Sequence, residues 1–345
     1  MEYTFLGRTG LSVSRLCLGT MNFGPHTDEK TSFKIMDNAI DHGINFFDTA
    51  NVYGNFGGTE TIIGKWFSKG GSRREKIVLA TKVYGGSAEG WYGWPKNWPN
   101  TSKLSAKHII SACNESLKRL QTDYIDLYQL HWPERNTNTF GVRDYKHVED
   151  KWEDNFNQIL HTLDEIIKSG KIRQVGISNE KAWGTMRYLE ESKHHNLPRM
   201  ITIQNAYSLL NRVFEGDMAE IAIREQIGLL AYSPMAFGVL SGKYIKGTAG
   251  DNARLKLFPR FARYSSEQST EATKGYLKIA EQHNITLAQL SLAFVTSRPF
   301  ITSNIIGATS MLQLKENIDS INVTLNQDVL DAIEKVHNNI PNPAP

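Results

Sequence analysis

The stretch "SRLCLGTMNFG", residues 14–24, decides the fold. Its first six residues read as a short, mostly apolar strand that stops at Gly19. A doubly wound nucleotide-binding sheet follows its first strand with G-x-G-x-x-G, whose glycines bring the backbone up to a pyrophosphate. Here the strand runs into "GTMNFG", which lacks that spacing. The open sheet is therefore disfavoured, and the number of strands that follow becomes the deciding quantity.

Further apolar runs occur at 44–48, 76–82, 123–131, 172–178, 200–205, 228–233 and 302–308. Helical patterns lie between them at 28–42, 105–121, 155–169, 180–195, 212–226, 267–283, 286–297 and 311–320. Asp28 and Glu29 open the first of these and Gly43 closes it, as helix ends prefer. Strands separated by helices pair in parallel, and eight such strands close a barrel. The prediction is a (β/α)8 TIM barrel forming one domain over residues 1–345. A short N-terminal β-hairpin and long βα loops complete it.

Composition agrees with that fold. Of 345 residues 40% are hydrophobic and 22% charged, and the net charge is +3. Such a small bias argues against nucleic acid or an anionic membrane as partner. Cys17 and Cys113 sit in apolar patterns and read as buried reduced thiols. "MEYTFLGRTGLSV" shows no basic segment followed by an apolar one, and no run of about 18 apolar residues spans a bilayer. The expected location is the cytoplasm. The sequence leaves the oligomeric state open.

Barrel chemistry gathers at the C-terminal ends of the strands. Read in order, those ends carry Thr20, Asp48, Lys82, His131, Ser178–Asn179, Gln204–Asn205 and Tyr232–Ser233. Asp, Lys and His close three successive apolar runs, and Tyr53 lies just beyond the first of them. Each residue alone has an ordinary structural explanation. Together they suggest carbonyl reduction, with a phenol as the acid. A free phenol titrates near 10, so exchanging protons near neutrality requires lowering by roughly three units, about 4 kcal/mol. An ammonium about 4 Å away at an effective dielectric of about 20 supplies that much. Lys82 is the available cation, Asp48 its anchor, and His131 a donor to the carbonyl oxygen. Metal hydrolysis would want His-x-His or converging carboxylates, and serine acyl transfer G-x-S-x-G; neither motif occurs. No metal is expected.

Two connections are long. Residues 83–104 hold three tryptophans, Trp91, Trp94 and Trp98. Residues 132–154 form a second polar loop, beginning at Trp132. Both follow a strand and so rise on the functional face. The four indoles are the expected substrate wall. A hydride requires a donor, usually a nicotinamide. "IIGATSMLQLKENI" (305–318) runs a strand through Gly307 into a helix, a phosphate-binding arrangement. "YSPMAFGVLSGKY" (232–244) adds small residues and Lys243, with Arg254 beyond; both cations suit phosphates.

The segments "CLGTMNFG", "GINFFDTANVYG", "ATKV", "SLKRLQTDYIDLYQLHWPE", "IRQVGISN", "IQNAYSLLNR", "YSPMAFGVLSGKY" and "IIGATSMLQLKENI" resemble the aldo-keto reductases over nearly the whole chain. "LLNRVFE" and "RFARYSSEQ" look like the bacterial Tas-type branch. The resemblance implies a catalytic tetrad of Tyr53, Asp48, Lys82 and His131, with Tyr53 the general acid. It implies NADPH across the barrel mouth and a small-molecule carbonyl substrate. The implied cofactor contacts are Thr20, Met21, Ser178, Asn179, Gln204, Tyr232, Ser233, Pro234, Gly238, Leu240, Lys243, Arg254, Gly307, Thr309, Gln313, Glu316 and Asn317. Tyr207 would lie near the nicotinamide. Many members carry Lys-Ser for the 2′-phosphate where this chain has Gly307 and Ala308. The branch containing potassium-channel β subunits uses a loop Arg with a Ser/Gln/Asn arrangement instead, and this chain fits that version. The same branch implies an alternative function, a cofactor-sensing or partner-binding barrel.

Overall fold

The computed structural model describes residues 1–84, 104–138, 140–147, 149 and 152–345. Strands β1 (Tyr3–Phe5) and β2 (Ser12–Ser14) form an antiparallel hairpin. Eight parallel strands then close a barrel: β3 (Leu16–Gly19), β4 (Phe46–Asp48), β5 (Val78–Val83), β6 (Ile125–Leu130), β7 (Ile172–Ser178), β8 (Met200–Ala206), β9 (Leu229–Tyr232) and β10 (Ile301–Ile306). β10 pairs with β3 to complete the ring. The predicted (β/α)8 barrel and its hairpin are therefore both present.

Helices surround the barrel. The first half of the chain supplies α1 (Glu29–Asp41), α2 (Tyr53–Phe67), α3 (Ala106–Leu120), α4 (Phe156–Lys168) and α5 (Ala182–His195). The second half supplies α6 (Met218–Arg224), α7 (Arg254–Leu257), α8 (Glu267–Gln282), α9 (Leu287–Ser297), α10 (Met311–Asp319) and α11 (Gln327–Asn339).

Period-two alternation sorts the strands into two cores. Phe47, Leu79, Tyr128 and Ile177 face the helices. Cys17, Phe46, Ala80, Leu127, Leu230 and Ile305 face the barrel interior, where Leu6 and Val13 of the hairpin segment join them. Gly7 brings this segment against the bottom of the barrel. It has φ +53°, and a Cβ there would lie 2.5 Å from the Ile201 carbonyl oxygen. The bottom is thus plugged, and the next inward positions up the strands are free to be polar.

Three elements depart from the sequence reading. No helix was expected between the second and third barrel strands, yet α2 fills that connection. Its glycines dilute the helical pattern, and residues 54–57 all have positive φ before the regular helix begins. Gly64 is required by packing: a Cβ there would lie 2.1 Å from the Arg119 carbonyl oxygen of α3. The expected helix 212–226 breaks at Gly216 into a 3-10 turn, Val213–Glu215, and α6. Finally, α11 was unassigned, although Asn326 caps it by accepting from the Val329 amide.

Candidate active site

The alternation that builds the interior core also builds the site. Two residues above Phe46 is Asp48, two above Ala80 is Lys82, and above Leu127 come Gln129 and His131. Lys82 is fully buried. Its Nζ donates to Asp48 Oδ2 at 2.7 Å, to the Thr49 carbonyl at 2.9 Å and to Tyr53 Oη at 3.4 Å. Asp48 Oδ1 accepts from Gln204 Nε2 at 2.8 Å and Gln129 Nε2 at 3.3 Å. The Tyr53 and His131 rings meet edge to face at 5.8 Å. The three residues at successive strand ends and Tyr53, at the start of α2, are thus brought together as expected.

Their electrostatics differ from expectation. Burial raises the Tyr53 phenol above its ordinary value; Lys82 opposes this and Asp48 reinforces it. The Lys82 charge is largely compensated by Asp48 at 2.7 Å, so it does not pull the phenol toward neutrality. Burial also works against the Lys82 ammonium, but Asp48 and then Tyr53 hold it above its usual range. His131 is pushed well below 6.5 by burial first and by Lys82 second. It is neutral at ordinary pH, and its buried Nδ1 has no partner among the described residues. The arrangement is therefore a protonated phenol and a neutral imidazole above a buried, charge-compensated lysine. It can give a proton to an oxygen and stabilise the phenolate left behind.

The expected cofactor positions form the rim. The Ser178 hydroxyl donates to the Gln204 carbonyl at 2.8 Å. Asn179, at φ +58°, donates from Nδ2 to the His131 carbonyl at 2.9 Å and accepts from Tyr232 Oη at 2.5 Å. Thr20 Oγ1 is spent on the Asp48 carbonyl at 2.9 Å, and the Leu240 side chain is wholly buried. Met21 is 39% exposed at the rim. Ser233 (φ +55°) and Gly238 (φ +90°) bend the loop around the buried Pro234. Beyond β10, Ser310 caps α10, Thr309 donates to Gln313 Oε1 at 2.9 Å, and Asn317 Nδ2 donates to the Gly307 carbonyl at 3.0 Å. Glu316 is half-buried on the same helix.

An anionic cofactor fits this rim. Arg254 reaches across to Asn22 Oδ1 at 2.6 Å, and Asn22 Nδ2 lies 3.2 Å from where a Cβ on Gly307 would be. Lys243 Nζ lies 3.0 Å from the corresponding point on Gly238. Burial lowers both cations, and Arg254 lowers Lys243 further. Among the described residues neither is paired with a carboxylate. Two neighbouring, half-buried cations without an acid are what a phosphate would relieve.

Tyr207 is not part of the site. It lies three residues past the inward-facing Gln204, on the opposite face of its strand. There it is fully buried, stacked on Phe294 at 6.1 Å, with its hydroxyl donated to Glu215. Trp91, Trp94 and Trp98 lie outside the described residues. Trp132 does stand at the mouth, stacked on His131 at 6.4 Å. The sequence reading missed Gln129, Asn22, Phe140 and Arg263. Gln129 was accessible from alternation with His131; the others meet the site only through tertiary folding.

Fold and site together define a barrel oxidoreductase with a tyrosine–lysine–aspartate–histidine cluster at its mouth. The aldo/keto reductase family model matches residues 15–338, and the chain belongs to that family. It is 45% identical to "Protein tas" of Escherichia coli (strain K12), with all of both chains covered. It is 40% identical to "Uncharacterized oxidoreductase YrpG" of Bacillus subtilis, over 97% of this chain and 96% of that one. It is 34% identical to "Probable voltage-gated potassium channel subunit beta" of Arabidopsis thaliana, with the same coverage. The Tas-type resemblance read from the sequence therefore holds. Among the described residues no helix is long and apolar enough to cross a membrane.

Proposed function

We propose that this protein reduces aldehydes or ketones to alcohols with NADPH, as a single domain acting in the cytoplasm on a small-molecule carbonyl. The observation that carries the reading is the contact of Lys82 Nζ with Tyr53 Oη at 3.4 Å while Asp48 holds the same ammonium at 2.7 Å. Because Lys82 donates to the phenol oxygen, the phenol proton is free to point at a substrate. The rim residues would hold a reduced nicotinamide, which when bound would supply the hydride for the carbonyl carbon. Neutral His131 orients the carbonyl oxygen beside Tyr53 by hydrogen bonding. As the C=O π pair moves onto oxygen, Tyr53 delivers its proton there, and the phenolate is left facing the Lys82 ammonium. Lys243 and Arg254 would hold the cofactor phosphates, and Arg254 would favour NADPH through the 2′-phosphate. Ser178, Asn179 and Gln204 would orient the nicotinamide.

The test is NADPH oxidation against a panel of aldehydes, ketones and quinones, with Tyr53→Phe as control. Turnover lost in that variant with NADPH binding retained supports the assignment; retained turnover removes Tyr53 from the acid role. A second reading has one specific support, full-length similarity to proteins named as probable channel β subunits. Tight NADPH binding without turnover of any panel member would favour that cofactor-sensing reading.

A further inference from the structure

A row of rings crosses the barrel mouth. Phe237 lies under Arg254 at 4.8 Å and stacks on Tyr264 at 5.2 Å. Arg263 covers Tyr264 at 4.5 Å and Phe140 at 4.1 Å. Phe140 in turn meets Trp132 edge-on at 5.3 Å and Tyr232 at 6.2 Å. Arg254 thus caps one end of the row, beside Asn22, while Arg263 sits between Tyr264 and Phe140, one ring away from Trp132. Cofactor phosphates belong at the Arg254 end, which leaves Arg263 for another anion.

The part-buried Arg135, Arg187 and Arg212 each pair with a carboxylate. Arg263, among the described residues, pairs with none; its Nη2 donates to Tyr264 Oη at 3.0 Å and its buried Nε has no partner. Among the described residues the buried Trp132 Nε1 is also without a partner. Two donor-only groups thus flank the apolar face of Phe140, with His131 behind one of them. Such an edge recognises an oxyanion at the far end of an apolar or aromatic body.

We propose that Arg263 and Trp132 select carbonyl substrates whose far end carries a carboxylate, an aromatic oxo acid being the best-fitting class. This rests on the carbonyl reduction proposed above. The measurement is kcat/KM for 4-formylbenzoate and for its methyl ester. The expected preference for the acid is about 10- to 100-fold, the range of a charge-assisted contact. Arg263→Leu should bring the ratio close to one, Arg263→Lys should keep part of it, and Trp132→Phe should reduce it severalfold. Equal kcat/KM for acid and ester in the wild type overturns the proposal, as does a ratio that survives Arg263→Leu. Calorimetric binding of terephthalate to the NADP⁺-loaded protein gives a readout without turnover. Its Kd should rise at least tenfold in Arg263→Leu, and an unchanged Kd overturns the proposal whether or not any aldehyde is reduced. Absence of turnover on every aldehyde with intact terephthalate selectivity would instead remove the reductase reading alone.

Discussion

Tyr53 is the residue on which the proposed chemistry turns. In that proposal, removing its hydroxyl takes away the proton donor but touches no phosphate contact. Tyr53→Phe should therefore lower kcat on the order of 10²-fold or more while leaving the NADPH Kd within about twofold. Single-turnover kinetics and fluorescence titration separate the two. His131 makes a different prediction. Its folded pKa lies below 6.5, so between that value and 6.5 the unfolded chain binds the extra proton. Its contribution to stability is complete above 6.5 and is lost as pH falls toward the folded value. His131→Gln should flatten the fall of Tm with pH below 6.5, and kcat/KM of the wild type should show no limb near that pH. A limb there would mean that a protonated imidazole takes part.

At the scale of elements, the loop from β9 through α7 and the packing of α2 on α3 make separable predictions. Arg254, the first residue of α7, reaches Asn22 from a loop that the barrel merely anchors. Arg254→Ala should weaken NADPH by about 1.5–3 kcal/mol and NADH by much less, measured by fluorescence titration with both cofactors. Equal weakening would put the guanidinium on the shared pyrophosphate. Gly64 illustrates why α2 was hard to read. Helical periodicity favours side chains at every inward position, but the Arg119 and Leu120 backbone leaves no room for one here. Gly64→Ala should destabilise the fold by about 1–3 kcal/mol in urea unfolding, with the KM for NADPH preserved. A neutral effect would show that α3 can shift outward at little cost.

For the whole molecule, the barrel divides into a plugged bottom that gives stability and a polar top that gives function. Leu6 is fully buried in the interior core below the site. Leu6→Ala should cost about 2–5 kcal/mol by leaving a cavity, while kcat/KM stays near the wild-type value. A large loss of activity without a loss of stability would show that the plug positions the tetrad. The sequence alone determined the barrel, because strand number and βα alternation are local properties of the chain. It also foretold that Asp48, Lys82, Tyr53 and His131 lie together at the mouth, since each closes or follows an apolar run and strand ends converge in a barrel. Gln129 was legible for the same reason. What only the tertiary structure decided was charge and contact. Asp48 compensates Lys82, and burial outweighs the remaining attraction, so the phenol stays protonated rather than lowered. Tyr207, though in a motif beside Gln204, falls on the outward face. Arg263 and Phe140, far apart in sequence, meet over Trp132. Burial and long-range contact depend on which surfaces close against each other, and no local pattern encodes that.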